Sequence, residues 1–446
     1  MSKKFIKVFK KRIPWLSGFA DLGTLLELTP TKTRDKQLVK RNRCIICRGT
    51  KMLCGKTRCP ILVKYYSYSK LLPMIKRREI DGSSPPAVFI GRFGYPYINV
   101  SPLVPPIIGD TSIFDYPEKW IDMQVDEIVR FRLSLIRGKI RAHVYDARKD
   151  ERKISLIQEL SMAKNPVDSS MLLKKEPRGI VIDAEFQPMG PGAPLANIDV
   201  YSIKTDLMVE KLHEDDDLKA LEAVKILYKR GKSITSIIRA FSTGLFGLKW
   251  ERRFVPTRWS ITAIDSMLSR WLIEEKIKKN PIIGEYQVFE ADLFGDRFLV
   301  ILIPEAWSYE FIEAWYPRTT WNPDDKTIAI GGDWEYYQGR TNYASIGGCY
   351  YAARLAVSEY LSNVKKQARV LILREAYPDH IMPLGVWHVR EGVRLALKKP
   401  PVCFGSLKDV LMFVSERLKL SLDVWLDVSR TLKDLMTQRK ISDFLF

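Results

Sequence analysis

The spacing Cys44-x2-Cys47-x6-Cys54-x4-Cys59 gathers four of the chain's six cysteines into sixteen residues, the densest set of potential ligands it contains. Thiolates bind zinc well, and four of them close a tetrahedral structural site. A two-residue spacer lets Cys44 and Cys47 reach one ion from a tight turn, and Gly49, Gly55 and Pro60 supply turns around the other ligands. The second pair is spaced by four residues rather than two, so an iron–sulfur cluster and a reactive Cys44–Cys47 dithiol are the competing readings. A closed four-thiolate site keeps no open coordination position, which makes its role structural rather than catalytic. It would rigidify a display of Arg41, Arg43, Arg48, Lys51, Lys56 and Arg58, candidate DNA contacts that act on phosphates without regard to base sequence. Tyr65, Tyr66 and Tyr68 follow; they could stack on unpaired bases, although alternating tyrosines more often mark a core face.

A second kind of chemistry is spread through the rest of the chain. Arg92, Arg258, Arg340 and Arg354 could each clamp phosphate oxygens in bidentate fashion. Asp333 or Glu335 could serve as a base or metal ligand, and His388, one of four histidines, as an acid. Taken singly, each of these is more often a structural ion pair or a core histidine. Gly91-x-x-Gly94 is a weak phosphate-loop signal, with no Walker Lys-Ser/Thr after it.

The chain ends on Gln438-Arg-Lys-Ile441-Ser-Asp-Phe444-Leu445-Phe446. Ile441, Phe444 and Leu445 stand at i, i+3 and i+4, so one helical turn puts them on one face. One turn cannot bury that face against itself, and it suits an apolar groove on another protein, with the Gln438 amide anchoring the entry. The tail resembles the motif by which DNA replication and repair proteins dock on the sliding clamp. The alternative is a helix end packed on the protein's own core.

These residues must be held by a chain of 446 residues, enough for two or three domains. No apolar run reaches the ~20 residues of a membrane-spanning helix, and the basic N-terminus lacks the apolar core of a secretory signal. Six cysteines in this length argue against a disulfide framework and for a reducing cytoplasm, and Cys349 and Cys403 read as ordinary buried thiols. The net charge is +20, and residues 1–80 hold 21 Lys and Arg against four acids, so +17 of it lies there. That asymmetry points to a nucleic-acid or acidic-membrane contact surface.

The division that follows is a basic zinc module over 1–80, a body over 81–435 and a docking tail over 436–446. The expected fold is mixed α/β (α+β an alternative), with strands at 87–90, 285–291, 296–303 and 369–374 whose order in a sheet the sequence leaves open. Helices are expected at 124–137, at 215–231 and from a cap at Ser260 to about 278, and a Gly/Pro-rich loop at 186–197. Trp307, Trp315, Trp321 and Trp334 are expected to build core, lining of a nucleotide pocket being the alternative.

Several of these blocks together resemble the archaeal Nre DNA-repair proteins. They are the cysteine cluster, Phe89-Ile-Gly-Arg-Phe-Gly-Tyr-Pro, Ile128-Val-Arg-Phe-Arg-Leu-Ser-Leu-Ile-Arg-Gly, Val255-Pro-Thr-Arg-Trp-Ser-Ile-Thr-Ala-Ile-Asp, Gly348-Cys-Tyr-Tyr-Ala-Ala-Arg-Leu-Ala-Val and Arg390-Glu-Gly-Val-Arg. The resemblance spans nearly the whole chain. It implies a role in tolerance of DNA damage, with some members recruited to the clamp through their C-terminus. It also implies Cys44, Cys47, Cys54 and Cys59 as zinc ligands and Gln438, Ile441, Phe444 and Leu445 as clamp contacts. Common clamp tails end in two aromatics; this one has Phe444-Leu445 and then Phe446. The leading expectation is therefore a repair factor that binds DNA through its basic module and the sliding clamp through its tail. The second is a phosphodiesterase-like enzyme acting on nucleotide or nucleic-acid phosphate, with a nucleotide ligand in the body. A third is an adaptor whose body binds another repair protein.

Overall fold

A computed structural model describes the strand at 6–8 and residues 46–178, 187–322 and 324–437. Cys44, Arg41, Arg43 and the expected clamp contacts from Gln438 onward lie outside the described residues. The chain divides into two compact units, one of residues 1–59 with 269–446 and one of Pro60–Leu268.

The Pro60–Leu268 unit is built on a six-stranded sheet of β2 (Glu79–Ser84), β3 (Val88–Ile90), β4 (Tyr97–Val104), β5 (Ile136–His143), β6 (Val167–Leu173) and β7 (Gly192–Val200). Their spatial order is β2-β6-β7-β5-β4-β3, antiparallel throughout except for β5 against β7. The helices of this unit are α1 (Pro60–Ile75), α2 (Val125–Ser134), α3 (Arg152–Met162), α4 (Leu207–Glu214), α5 (Ala220–Lys229), α6 (Ile234–Ser242) and most of α7 (Thr257–Glu275). Period-2 alternation turns Ile98 and Val100 of β4 inward, where Ile154, Ile157 and Leu160 of α3 meet them with Phe254.

Several expectations are corrected here. The helix of 124–137 ends at Ser134, and the chain goes straight into β5. The 186–197 loop gives way to β7 at Gly192. The 215–231 helix is shorter, Ala220–Lys229, and its acidic lead-in Asp215–Asp217 lies between α4 and α5. Ser260 is not a cap either: α7 has already begun at Thr257, and the Ser260 hydroxyl donates to the Val255 carbonyl.

The other unit carries a seven-stranded sheet in the order β1-β11-β10-β12-β9-β8-β13. The strands are β1 (Ile6–Val8), β8 (Tyr286–Leu293), β9 (Asp296–Ile303), β10 (Ser308–Trp315), β11 (Ile328–Glu335), β12 (Arg369–Ala376) and β13 (Val402–Phe404). β10 and β12 run parallel, and β9 lies antiparallel against β12. Every residue of β10 and β12 is buried, which means both faces of the sheet are covered. One face, with Leu299, Ile301, Ile312, Leu371 and Leu373, packs on α10 (Leu407–Arg417), α11 (Leu422–Val428) and α12 (Arg430–Thr437) through Val410, Val414, Trp425 and Leu432. Over the opposite face lie α8 (Gly348–Asn363) and α9 (Trp387–Leu397), with α9 against β8 and β9. Trp307 and Trp315 are core as expected, whereas Trp334 is substantially exposed. Cys403 sits on the edge strand β13 and is exposed, not buried. Among the described residues, no helix is long and apolar enough to cross a membrane.

Candidate functional site

The sheet of β8–β13 buries charge that such strands rarely carry. Glu313 of β10 and Arg374 of β12 are register partners, and Arg374 is in turn opposite Phe298 of β9. Asp296 is two residues before Phe298, so the pleat sets Asp296, Glu313 and Arg374 on one face at one end of three adjacent strands. Nε of Arg374 donates to Oδ2 of Asp296 at 2.8 Å, while its terminal nitrogens donate to that same oxygen and to Oε1 of Glu313. The guanidinium lies over Trp315, 4.5 Å from the ring centroid.

Two glycines bring the histidines to this end. Gly295, at φ +85°, turns the β8–β9 hairpin, and a Cβ there would fall 2.3 Å from the His380 amide nitrogen. Only glycine lets the segment after β12 approach this closely. Gly392 of α9 faces Phe298, where a Cβ would come within 2.4 Å of the ring. One helical turn earlier on α9 stands His388, which is thereby set over Asp296. His380 Nδ1 is 3.0 Å from Asp296 Oδ1, and His388 Nε2 is 3.5 Å from Asp296 Oδ2. The two imidazoles stack with centroids 5.2 Å apart. All three residues are at most 3 % exposed. Among the described residues they are the one group of three or more His, Cys, Asp or Glu whose ligating atoms converge closely enough to hold a metal ion.

The surroundings set the charge states. Burial would push the Asp296 carboxyl up, but the Arg374 guanidinium outweighs it and holds the group well below the usual carboxylate range. Burial pushes His388 down to about 3, so it is neutral at any ordinary pH. Burial also raises Glu313, against the pull of Arg374. Cys349, second residue of α8, has its thiol pushed well up by burial and by the neighbouring Glu313, the reverse of an activated nucleophile.

The sequence-predicted residues fall elsewhere, apart from His388. Arg340 donates to Asp333 at 2.9 Å, and Arg354 to Glu335 at 2.6 Å and to the Ser269 hydroxyl at 3.1 Å. Both guanidinium groups lie against the Tyr350 ring. The structure thus brings four predicted residues together as two ion pairs around one tyrosine. Arg92 and Arg258 belong to the other unit: Arg92 sits over the Phe93 ring at 5.2 Å, and Arg258 is exposed in the first turn of α7.

Cys47 is buried and Cys54 and Cys59 are half-buried. Backbone amides of Leu53, Gly49, Lys51 and Met52 surround the Cys47 sulfur and lower its pKa, an environment suited to a thiolate ligand. Arg48, Lys51 and Arg58 are exposed, but Lys56 is buried and its ammonium donates to the carbonyls of His380 and Ile381 at 3.3 and 2.8 Å.

A different surface was missed as a unit, although its residues lie in a block the sequence singles out. Between β3 and β4, Phe93 is 78 % exposed and Tyr95 about half exposed, and Tyr97 begins β4 at 56 %. Register sets Tyr97 beside His143 of β5, whose rings touch at 4.9 Å. Arg141 reaches the Phe93 carbonyl, and Arg148 lies over the exposed Tyr145 ring at 4.4 Å. Flat rings and guanidinium groups alternate here in solvent, an arrangement that can stack unpaired bases and neutralise their phosphates.

Comparison with known proteins places the chain. The model described as "Archaeal Nre, N-terminal" matches residues 53–322 and "Archaeal Nre, C-terminal" matches 335–444. The chain is 40 % identical to the DNA repair protein NreB of Archaeoglobus fulgidus, over 90 % of this chain and 100 % of that one. It is 38 % identical to the DNA repair protein NreA of the same organism, over 84 % of this chain and 94 % of the relative. With the DNA repair protein NreA of Haloferax volcanii it shares 32 % over 77 % of this chain and 84 % of the relative. No solved structure matches it. On matches that run through both parts of its length, the chain belongs to the archaeal Nre family.

Proposed function

We propose that this protein is a DNA-repair factor that contacts DNA directly and is brought to it by the sliding clamp. Kinship with three DNA repair proteins along most of their length supports the repair role. The observation that carries direct DNA contact is the exposed Phe93–Tyr95–Tyr97 face with Arg92, Arg141 and Arg148 among its rings. The basic N-terminal module adds sequence-independent phosphate contacts from Arg41, Arg43, Arg48, Lys51 and Arg58, with a structural zinc at Cys44, Cys47, Cys54 and Cys59. The amides around Cys47 favour that reading. The ion docks no substrate there; its chemistry is to hold the loop.

Gln438, Ile441, Phe444, Leu445 and Phe446 dock on the clamp. α12, the last described element, has its first turn fastened to the sheet through Glu310. Tethering of this kind raises local concentration on DNA without any new DNA contact. A phosphate-processing enzyme is the weaker reading, because Arg340 and Arg354 are already committed to Asp333 and Glu335.

The test is binding of purified sliding clamp to the full chain and to a chain ending at Thr437. A complex of about micromolar affinity or tighter that disappears on truncation is expected. No complex with either form, or an equal one with both, overturns the docking role.

A further inference from the structure

We propose that Asp296, His380 and His388 bind one divalent first-row transition-metal ion, a site separate from the cysteine cluster and independent of the repair role argued above.

Convergence is the first ground. A carboxylate and two imidazoles present ligand atoms that all lie within 4.8 Å of one another, in a place enclosed by protein. Ligands sharing one ion through bonds of ~2.0–2.2 Å stand roughly 3–3.5 Å apart. His380 Nδ1 stands 3.0 Å from Asp296 Oδ1, within that range, and the three ligand atoms together lie within 4.8 Å of one another.

The second ground is what these atoms do not do. Asp296 Oδ1 and both ring nitrogens of His380 are enclosed and make no hydrogen bond, for the 3.0 Å approach of Oδ1 to Nδ1 is not aligned as one. Buried polar atoms are almost always satisfied, and a cluster of three that is not calls for a missing partner. Arg374 grips only Oδ2 of Asp296, leaving Oδ1 bare toward His380. This is the outer-shell support that a ligating carboxylate receives in metal sites.

Arg374 bridges Asp296 and Glu313, so in this enclosed place one guanidinium stands between two carboxyl groups. His388 Nε2 also lies 2.9 Å from the Leu293 carbonyl, a contact that requires a proton on Nε2 when no ion is present. An ion takes that proton's place and makes the Leu293 oxygen a further available donor. Two imidazoles with one carboxylate suit zinc or iron(II) rather than calcium or magnesium. With all three side chains buried, the ion would clasp the β8–β9 hairpin, the segment after β12 and the start of α9.

The rival account is a metal-free cluster in which His380 carries the proton and balances Glu313. Cobalt(II) separates the two. The metal-stripped full chain carrying C44S and C47S, which removes two thiolates of the cysteine cluster, is titrated with Co2+. One equivalent is expected, with visible d–d absorption but no near-ultraviolet thiolate band, and D296N and H380Q should each weaken it at least about tenfold, as loss of a ligand does. The unaltered chain should take up one more equivalent than the same chain with H380Q. No visible cobalt spectrum in the C44S/C47S chain, or uptake unchanged by both D296N and H380Q, overturns the proposal. Should a variant fail to fold, the titration of the unaltered chain decides: a cobalt spectrum that is entirely thiolate in character is then the overturning result.

Discussion

Asp333 accepts from Arg340 at 2.9 Å, from the Ser345 amide at 2.6 Å and from the Trp334 amide at 2.9 Å. Burial works against its charge, but these donors outweigh it and lower the carboxyl's pKa below its ordinary value. A carboxyl whose folded pKa is depressed stabilises the fold above its unfolded value, near 3.9, and loses that contribution as pH falls through the folded pKa. Asp333→Asn should therefore cost about 1–2 kcal/mol at pH 7, the scale of lost charge-assisted hydrogen bonds in a partly exposed group. The deficit should shrink as both proteins are unfolded in urea at successively lower pH below about 4. A deficit that stays constant with pH would assign the effect to shape rather than charge. The same residues show what was legible at this scale. Asp333, Glu335, Arg340 and Arg354 stand out by type and by their glycine-punctuated setting, but Glu335 meets Arg354 only because β11 and α8 fold together. His388 was visible as a rare histidine. Its partner Asp296 stands 92 positions earlier on another element, so no spacing rule joins them. The signals that could have helped were Gly295 and Gly392, each set where a side chain would collide with the neighbour it admits.

Elements were read most surely where burial is two-sided. β9 and the strand β12 are continuous apolar runs closed by Pro304 or by charge, and they appear close to where the sequence puts them. Where a strand is half-exposed the signal is weak: Ile136–His143 alternates Arg and Lys with apolar residues and follows a helical pattern without a break, so the expected helix of 124–137 overruns the start of β5. Strand order was not legible, because parallel β10 and β12 are joined through β11 and α8 while β9 inserts beside β12 by tertiary pairing alone. The buried acid Glu310 of β10 explains how the last element is fixed. Its carboxylate accepts from the Ser429 hydroxyl at 2.7 Å and from the amides of Arg430 and Thr431 at 2.8 Å each, while Ser429 Oγ caps Leu432 N at 3.1 Å. One side chain thus satisfies two of the orphan amides at the N-terminus of α12, where its negative charge also meets the favourable end of the helix dipole. Glu310→Ala should cost about 2–4 kcal/mol, the sum of a lost cap and newly unsatisfied buried donors, read as a lower urea midpoint. Glu310→Gln, which keeps one carbonyl acceptor, should cost less. Equal losses would mean that packing volume, not the hydrogen bonds, holds α12 in place.

Across the whole molecule, charge and aromatic surface are unevenly shared, and each share predicts a separate dependence. Of the +20 net charge, +17 falls in residues 1–80, where arginine and lysine side chains can meet phosphates of any sequence. The Phe93–Tyr97 face of the Pro60–Leu268 unit offers rings instead, and rings recognise bases only when these are unpaired. If both act, single-stranded DNA should bind more tightly than duplex of the same length, and both affinities should fall as salt rises. Replacing Phe93 and Tyr97 with alanine should weaken single-strand binding by about 1–3 kcal/mol per stacked base, with little change for duplex. Arg48→Ala with Lys51→Ala should instead weaken both forms and flatten the salt dependence by about one unit of slope for each phosphate no longer neutralised. Fluorescence anisotropy over a salt series, with the two pairs of substitutions in parallel, reads both effects in one experiment. The exposed rings sit on a loop and at the first residue of β4, so their removal should leave the urea midpoint nearly unchanged and keep the comparison clean. An aromatic pair whose loss weakens duplex and single strand alike would make this face a protein contact or a general cationic surface. The preference for unpaired bases would then have to come from elsewhere in the chain.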